Sequence, residues 1–188
     1  MTSILKVDNI QKANGSVPTA GDLGLNTTGS VLQMQFTQYT GTTSVSTSSV
    51  TNHTIDVLAV NITPKSTNSI IKLDAHIFHE WGNPGAVYNC AWFFYRDSTK
   101  LAHAQAGNRL SGISTSALSF EATDAGSTAE TTYYSYFDSP NTTNQITYKV
   151  GVINNYTTSV FINRTVSDTN GNEMERGLSF ISATEIGG

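Results

Sequence analysis

Three groups of side chains have the types that site chemistry needs. His76, His79 and Glu80 are close enough in sequence to be weighed as metal ligands. On a strand, positions 76 and 79 point to opposite faces, so the two imidazoles cannot share an ion without a bulge. They read as interior or surface histidines. Glu130, Glu173, Glu175 and Glu185 would have to supply the paired carboxylates of a glycosidase, but they come from different segments and sequence brings no pair to that spacing. Asp168, Asn170 and Asn172 alternate like the opening of a calcium loop, with Glu173 and Glu175 behind them. Gly171 is misplaced for that loop and no Glu stands at its twelfth position, so the segment reads as a surface turn.

The chain carries no glycine-rich phosphate loop, nucleophile elbow or thiolate motif. Cys90, the single cysteine, sits in an apolar run and reads as a small core hydrophobe. It leaves no disulfide framework and no cysteine-based zinc site. Seven Asn-x-Ser/Thr matches, from Asn14 to Asn163, are what an Asn- and Thr-rich chain yields by chance. The expectation is a protein that is not an enzyme, with no cofactor and no metal.

Composition narrows the partners. The 188 residues carry 10 basic and 14 acidic side chains, a net charge of −4, which weighs against nucleic acid because phosphate neutralisation needs clustered Lys and Arg. No apolar run reaches membrane-spanning length and the start lacks a signal-peptide core, so neither membrane insertion nor secretion is expected. Thr, Ser and Asn together make up 64 residues. Asn and Ser favour turns and Thr favours pleated strands, while the usual material of long surface helices is scarce. That composition is all-β.

The elements follow from a period of two. Strands are expected at 55–62, 71–77, 88–96, 101–104, 116–122, 131–137, 145–154, 159–163 and 177–186, separated by turns at Pro64–Asn68, Gly82–Gly85, Asp97–Lys100, Asp138–Asn141 and Asp168–Asn172. Eight or nine antiparallel strands at this spacing make a sandwich. Residues 40–54 are nearly all Ser and Thr and read as a loop or an exposed edge strand. Residues 1–30 differ from the rest. Beyond Ile4, Leu5, Val7 and Ile10 they hold little apolar material, and glycines and Pro18 interrupt any periodicity. The division is an extended arm, 1–30, and a β-sandwich domain, 31–188.

Four segments carry a resemblance: Ile62–Leu73, Phe94–Leu101, Asp138–Val150 with its Asp-Ser-Pro and Thr-Tyr-Lys-Val, and Leu178–Ile186 with its closing Glu-Ile. In this order they resemble a domain of tailed-phage fibre and virion surface proteins, similar to the trimeric jelly rolls of the tumour-necrosis-factor and complement-head superfamily. The opening Ser3–Gln11 resembles the start of marine-phage structural proteins. The resemblance implies a jelly-roll β-sandwich and a homotrimer. It also implies a place in the virion, assembled in the host cytoplasm, with other virion proteins (the major capsid protein or tail components) as partners and a possible host surface receptor.

The aromatic content fits that expectation. Tyr133-Tyr134-Ser135-Tyr136-Phe137 puts rings on both faces of one strand, whereas a sandwich interior uses only one. Trp92, Phe94, Tyr134, Tyr136, Tyr148 and Val150 are the candidates for trimer interface or core, and Ile4, Leu5, Val7 and Ile10 for a virion anchor. Three functions compete: a trimeric knob decorating the capsid, a short tail-fibre or receptor-binding tip, and a polysaccharide depolymerase. The last lacks its carboxylate pair. An arm of some thirty residues can span up to about 90–100 Å, which favours capsid decoration over a fibre without a shaft.

Overall fold

The computed structural model describes residues 9–19, 21–24, 28–116 and 126–188. The described chain is all-β, with ten strands: β1 Val31–Tyr39, β2 Thr43–Thr47, β3 His53–Ile62, β4 Ile70–Trp81, β5 Cys90–Arg96, β6 Thr99–Leu101, β7 Glu130–Asp138, β8 Ile146–Asn154, β9 Thr158–Ile162 and β10 Ser179–Ile186. The six-stranded sheet runs β1-β10-β4-β9-β2, with β7 on the far side of β4. The four-stranded sheet runs β3-β8-β5-β6. Every pairing is antiparallel. With the β2–β9 pair set aside, the order is β1-β10-β4-β7 against β3-β8-β5-β6, and the chain crosses repeatedly between sheets. That is the connectivity of a jelly roll.

Alternation drives the packing. On β8, Ile146, Tyr148, Val150 and Val152 are buried in the sandwich, while Thr147 and Lys149 face outward. On β4, Ile71, Leu73, Ala75, Ile77, His79 and Trp81 point inward. On β3 the inward set shifts from Ile55 to Leu58, Val60 and Ile62. A register irregularity between Ile55 and Ala59 accounts for the change of parity. Trp81, Trp92, Phe94 and Tyr148 are the largest side chains of this core.

Several expected boundaries move. Ten strands replace eight or nine because β1 and β2 extend the six-stranded sheet, β2 as the edge strand that the Ser/Thr run allowed. The expected strand at 101–104 shrinks to Thr99–Leu101. Tyr88 closes a one-turn helix, α1 Pro84–Tyr88, which replaces part of the expected 82–85 loop. Asn83 caps it by accepting from Gly85 N at 2.9 Å, and Pro84 stands in the first turn, where its missing N–H costs nothing. Of the expected strand at 116–122, Ser116 lies outside any strand and 117–122 lie outside the described residues.

In the arm, residues 9–19 and 21–24 form no strand and are mostly exposed. Their hydrogen bonds and the Lys12–Asp22 ion pair of 2.5 Å stay within that stretch. Among the described residues no helix is long and apolar enough to cross a membrane.

Candidate functional site

The two outer faces of the sandwich are treated differently. On the four-stranded sheet, Ala91, Phe93 and Ile153 point away from the main core yet are buried, because Ala102, Leu110 and Ile113 of the β6–β7 connection pack over them with Tyr95. Gly151 makes this possible: a Cβ there would come 2.3 Å from the Phe93 ring. The chain covers this sheet with its own loop.

The six-stranded sheet keeps large apolar groups in solvent. Register places three rows across its outer face: Met34, Thr184, Lys72 and Phe137; then Phe36, Ser182, Asp74 and Ser135; then Gln38, Phe180, His76 and Tyr133. Phe36 is 66% exposed, Phe137 61%, Tyr133 60% and Met34 56%. These most exposed groups stand on the outer strands β1 and β7, and between them lie Thr184, Lys72, Ser182 and Asp74, with Phe180 and His76 in the third row.

On β1 the usual alternation is inverted. Met34 and Phe36 face water, whereas Gln33 and Thr37 turn inward, Gln33 Nε2 donating to Glu185 Oε2 at 2.6 Å and Thr37 Oγ1 to Ala59 O at 2.6 Å. Because the side-chain period is two, a strand cannot send both sets inward, and register decides which is buried. Here the inward polar groups are satisfied and the apolar ones are left for something outside.

The strip between the aromatic edges is electrostatically closed. Asp74 accepts from Lys72 Nζ at 2.8 Å, Ser135 Oγ at 2.6 Å and Tyr133 Oη at 3.0 Å. Burial pushes its pKa up, but these donors outweigh it and hold the carboxyl below the usual value. The same contact raises Lys72. His76 stacks on Phe180 at 5.9 Å, with Nδ1 3.1 Å from Leu178 O.

The residues singled out from sequence fall as follows. Trp92, Phe94, Tyr134, Tyr148 and Val150 are buried and Tyr136 is half-buried against them, so this set is core. Ile10 is exposed, and Ile4, Leu5 and Val7 lie outside the described residues. Of the two aromatic faces expected on 133–137, Tyr134 and Tyr136 take the inner and Tyr133 and Phe137 the outer. Met34, Phe36 and Phe180 were missed. Their signal was the alternation of 31–39, which gives two faces without saying which is inside.

The charged groups of the quoted motifs hold the sandwich together. Asp138 accepts from Arg96 Nη1 at 3.0 Å and from Tyr148 Oη at 2.7 Å, joining β7 to the facing sheet. Fully buried Glu185 accepts from Ser69 Oγ at 2.6 Å and Lys65 N at 2.7 Å, besides Gln33. Desolvation raises its pKa, and the donors more than reverse that. His79 is fully buried, its Nε2 2.8 Å from Ser116 Oγ, which also accepts from Trp92 Nε1 at 3.1 Å. Burial lowers its pKa to about 4, so the ring is neutral. Cys90 is buried beside the same hydroxyl, at 3.3 Å. Asp168 pairs with Arg176 and lies 4.0 Å from Arg164. Among the described residues no group of three His, Cys, Asp or Glu side chains converges as metal ligands.

A scan against protein-family models and a search of curated proteins find no match to this chain.

Proposed function

We propose that this is a non-enzymatic virion structural protein, a homotrimeric knob that decorates a phage capsid and is held there by its N-terminal arm. The observation that carries the reading is the inverted β1, which leaves Met34 and Phe36 in solvent on the same face as Tyr133 and Phe137. A monomer gains nothing from exposing these groups, whereas a copy of the chain can cover them. The aromatic groups sit at opposite edges of the face, so the β7 edge of one subunit meets the β1 edge of the next. Such a head-to-tail contact closes into a ring when the rotation allows. The number three and the virion setting come from the resemblance of the Asp138–Val150 and Leu178–Ile186 segments. Gly29 and Ser30 tie the arm to Gly187 at the end of β10, and the hydrogen bonds of residues 9–19 and 21–24 stay within that stretch, which supports an arm that engages another surface.

Light scattering on the purified protein should give about three times 20.2 kDa, and a monomer at micromolar concentration sinks the trimer. A variant starting near Ser30 should keep its melting behaviour but fail to bind particles that lack the protein. Unfolding of that variant would make the arm part of the core, and retained binding would remove it as the anchor. Copy number separates capsid from tail: hundreds per particle fit decoration, and tens or fewer fit the alternative, a short tail-fibre or receptor-binding tip.

A further inference from the structure

The four-stranded sheet carries a cleft of about 560 Å³ beside its covering loop. Among the described residues, Lys100 and Arg109 line it and no carboxylate does. Among the described residues neither cation has an ion-pair partner, in a chain of net charge −4. Both are held in place. Lys100 Nζ sits 4.1 Å from the Phe93 ring centroid and donates to Asn52 Oδ1 at 2.9 Å. Arg109 Nη1 donates to Ala106 O at 3.1 Å. Gln105 Nε2 donates to Gly107 O at 2.7 Å and Arg109 O at 2.8 Å, closing the loop on itself around Gly107, whose φ of 62° suits glycine.

Three properties of the cleft define its ligand. Two unneutralised cations select an anion. The volume falls in the ~300–1,000 Å³ range of small-molecule sites, far more than a bare ion fills. The remaining walls are side-chain amides, Asn108 and Asn155 besides Asn52 and Gln105, with Val50 and Ile153 as the apolar part. Amides pair with hydroxyls, and an apolar floor suits the C–H face of a sugar ring. We propose that this cleft binds an acidic saccharide, its carboxylate on Lys100 and Arg109 and its hydroxyls on the amides. The inference does not rest on the trimer or the virion, because the cleft and Phe36 belong to different sheets.

Calorimetric titration of the full chain tests it with three probes: a galacturonate trisaccharide, the neutral galactose trisaccharide and inorganic phosphate. The acidic sugar should bind saturably in the millimolar range or tighter. The neutral sugar should bind about tenfold more weakly, and Arg109→Gln should weaken the acidic sugar by about tenfold. Arg109 is on an exposed loop, so its unfolding midpoint should not move, and Lys100→Met should repeat the loss of affinity. Equal binding of the neutral sugar overturns the proposal. So does phosphate binding as tightly as the acidic sugar, unchanged affinity in Arg109→Gln, or no binding of the acidic sugar.

Discussion

Phe36→Ser separates assembly from folding. Phe36 is 66% exposed in the single chain, and an aromatic side chain carries ~150–250 Å². Roughly 130 Å² of it therefore remains for a neighbour to cover, worth ~3 kcal/mol per contact at ~25 cal/mol per Å². A closed trimer has three such contacts, so the variant should lose about a hundredfold or more in association constant at each. Folding of the subunit should change by a smaller amount, ~1–2 kcal/mol, because only about a third of the side chain is buried there. Sedimentation velocity over a dilution series, run beside chemical denaturation, reads both quantities. The expected result is a shift to monomer with an unfolding midpoint only modestly below the parent monomer's. A trimer as tight as the parent's would refute the assignment of this face. A large drop in subunit stability would show instead that β1 is packed inward at this position.

Three further outcomes follow from the core. His79 titrates at about 4 when folded against an ordinary 6.5, so the unfolded chain takes up its proton first as pH falls. Its contribution is whole above about 6.5 and declines by ~3 kcal/mol down to about pH 4. Denaturation across that range should show a steeper fall for the parent than for His79→Phe, and equal slopes would place the imidazole in solvent. Tyr148→Ala removes a buried ring and its hydrogen bond to Asp138, at ~3–5 kcal/mol in denaturant unfolding, whereas Lys149→Ala loses only an exposed pair with Asp56, within ~1 kcal/mol. Comparable costs at the two positions would mean that the faces of β8 are misassigned. Glu185→Gln keeps the shape but turns an amide toward groups that all donate, and should cost ~1–3 kcal/mol by the same measurement. A neutral result would mean that the carboxylate is not what holds the Ser66–Ser69 turn.

The sandwich was legible where alternation and burial agree. Ile71–Ile77 and Ile146–Val152 put their apolar sets inside, and the faces of Tyr148 and Lys149 were readable directly. β3 carries a register irregularity between Ile55 and Ala59, which no count of two can anticipate. α1 depends on one capping contact, Gly85 N donating to Asn83 Oδ1, across a single turn. The exposed aromatic face was half legible. Rings on both sides of 133–137 announced one exposed set, Tyr133 and Phe137, but Trp92, Phe94 and Tyr148 could be placed in the core only once the neighbouring strands were known. β1 was opaque for a sharper reason: Met34 and Phe36 alternate like core residues and stand outside, because Gln33 and Thr37 have partners only on the inner side.

An aromatic face used for assembly must give up water without stranding a charge. Lys72 and Asp74 lie in the middle of this one, where an unpaired ion would cost several kcal/mol once covered. Asp74 is already only 7% exposed, and it draws its donors from three side chains of its own subunit. Most of its desolvation has therefore been met during folding, and covering the strip adds little. Tyr133 does two jobs here: its hydroxyl holds Asp74 while its ring stays largely in solvent. Selecting a copy of the chain then falls to the rings at the edges. A closed polar centre discriminates weakly, whereas in the proposed assembly aromatics on β1 and β7 would fix which edge meets which. A ring of subunits needs that asymmetry, and a twofold contact does not.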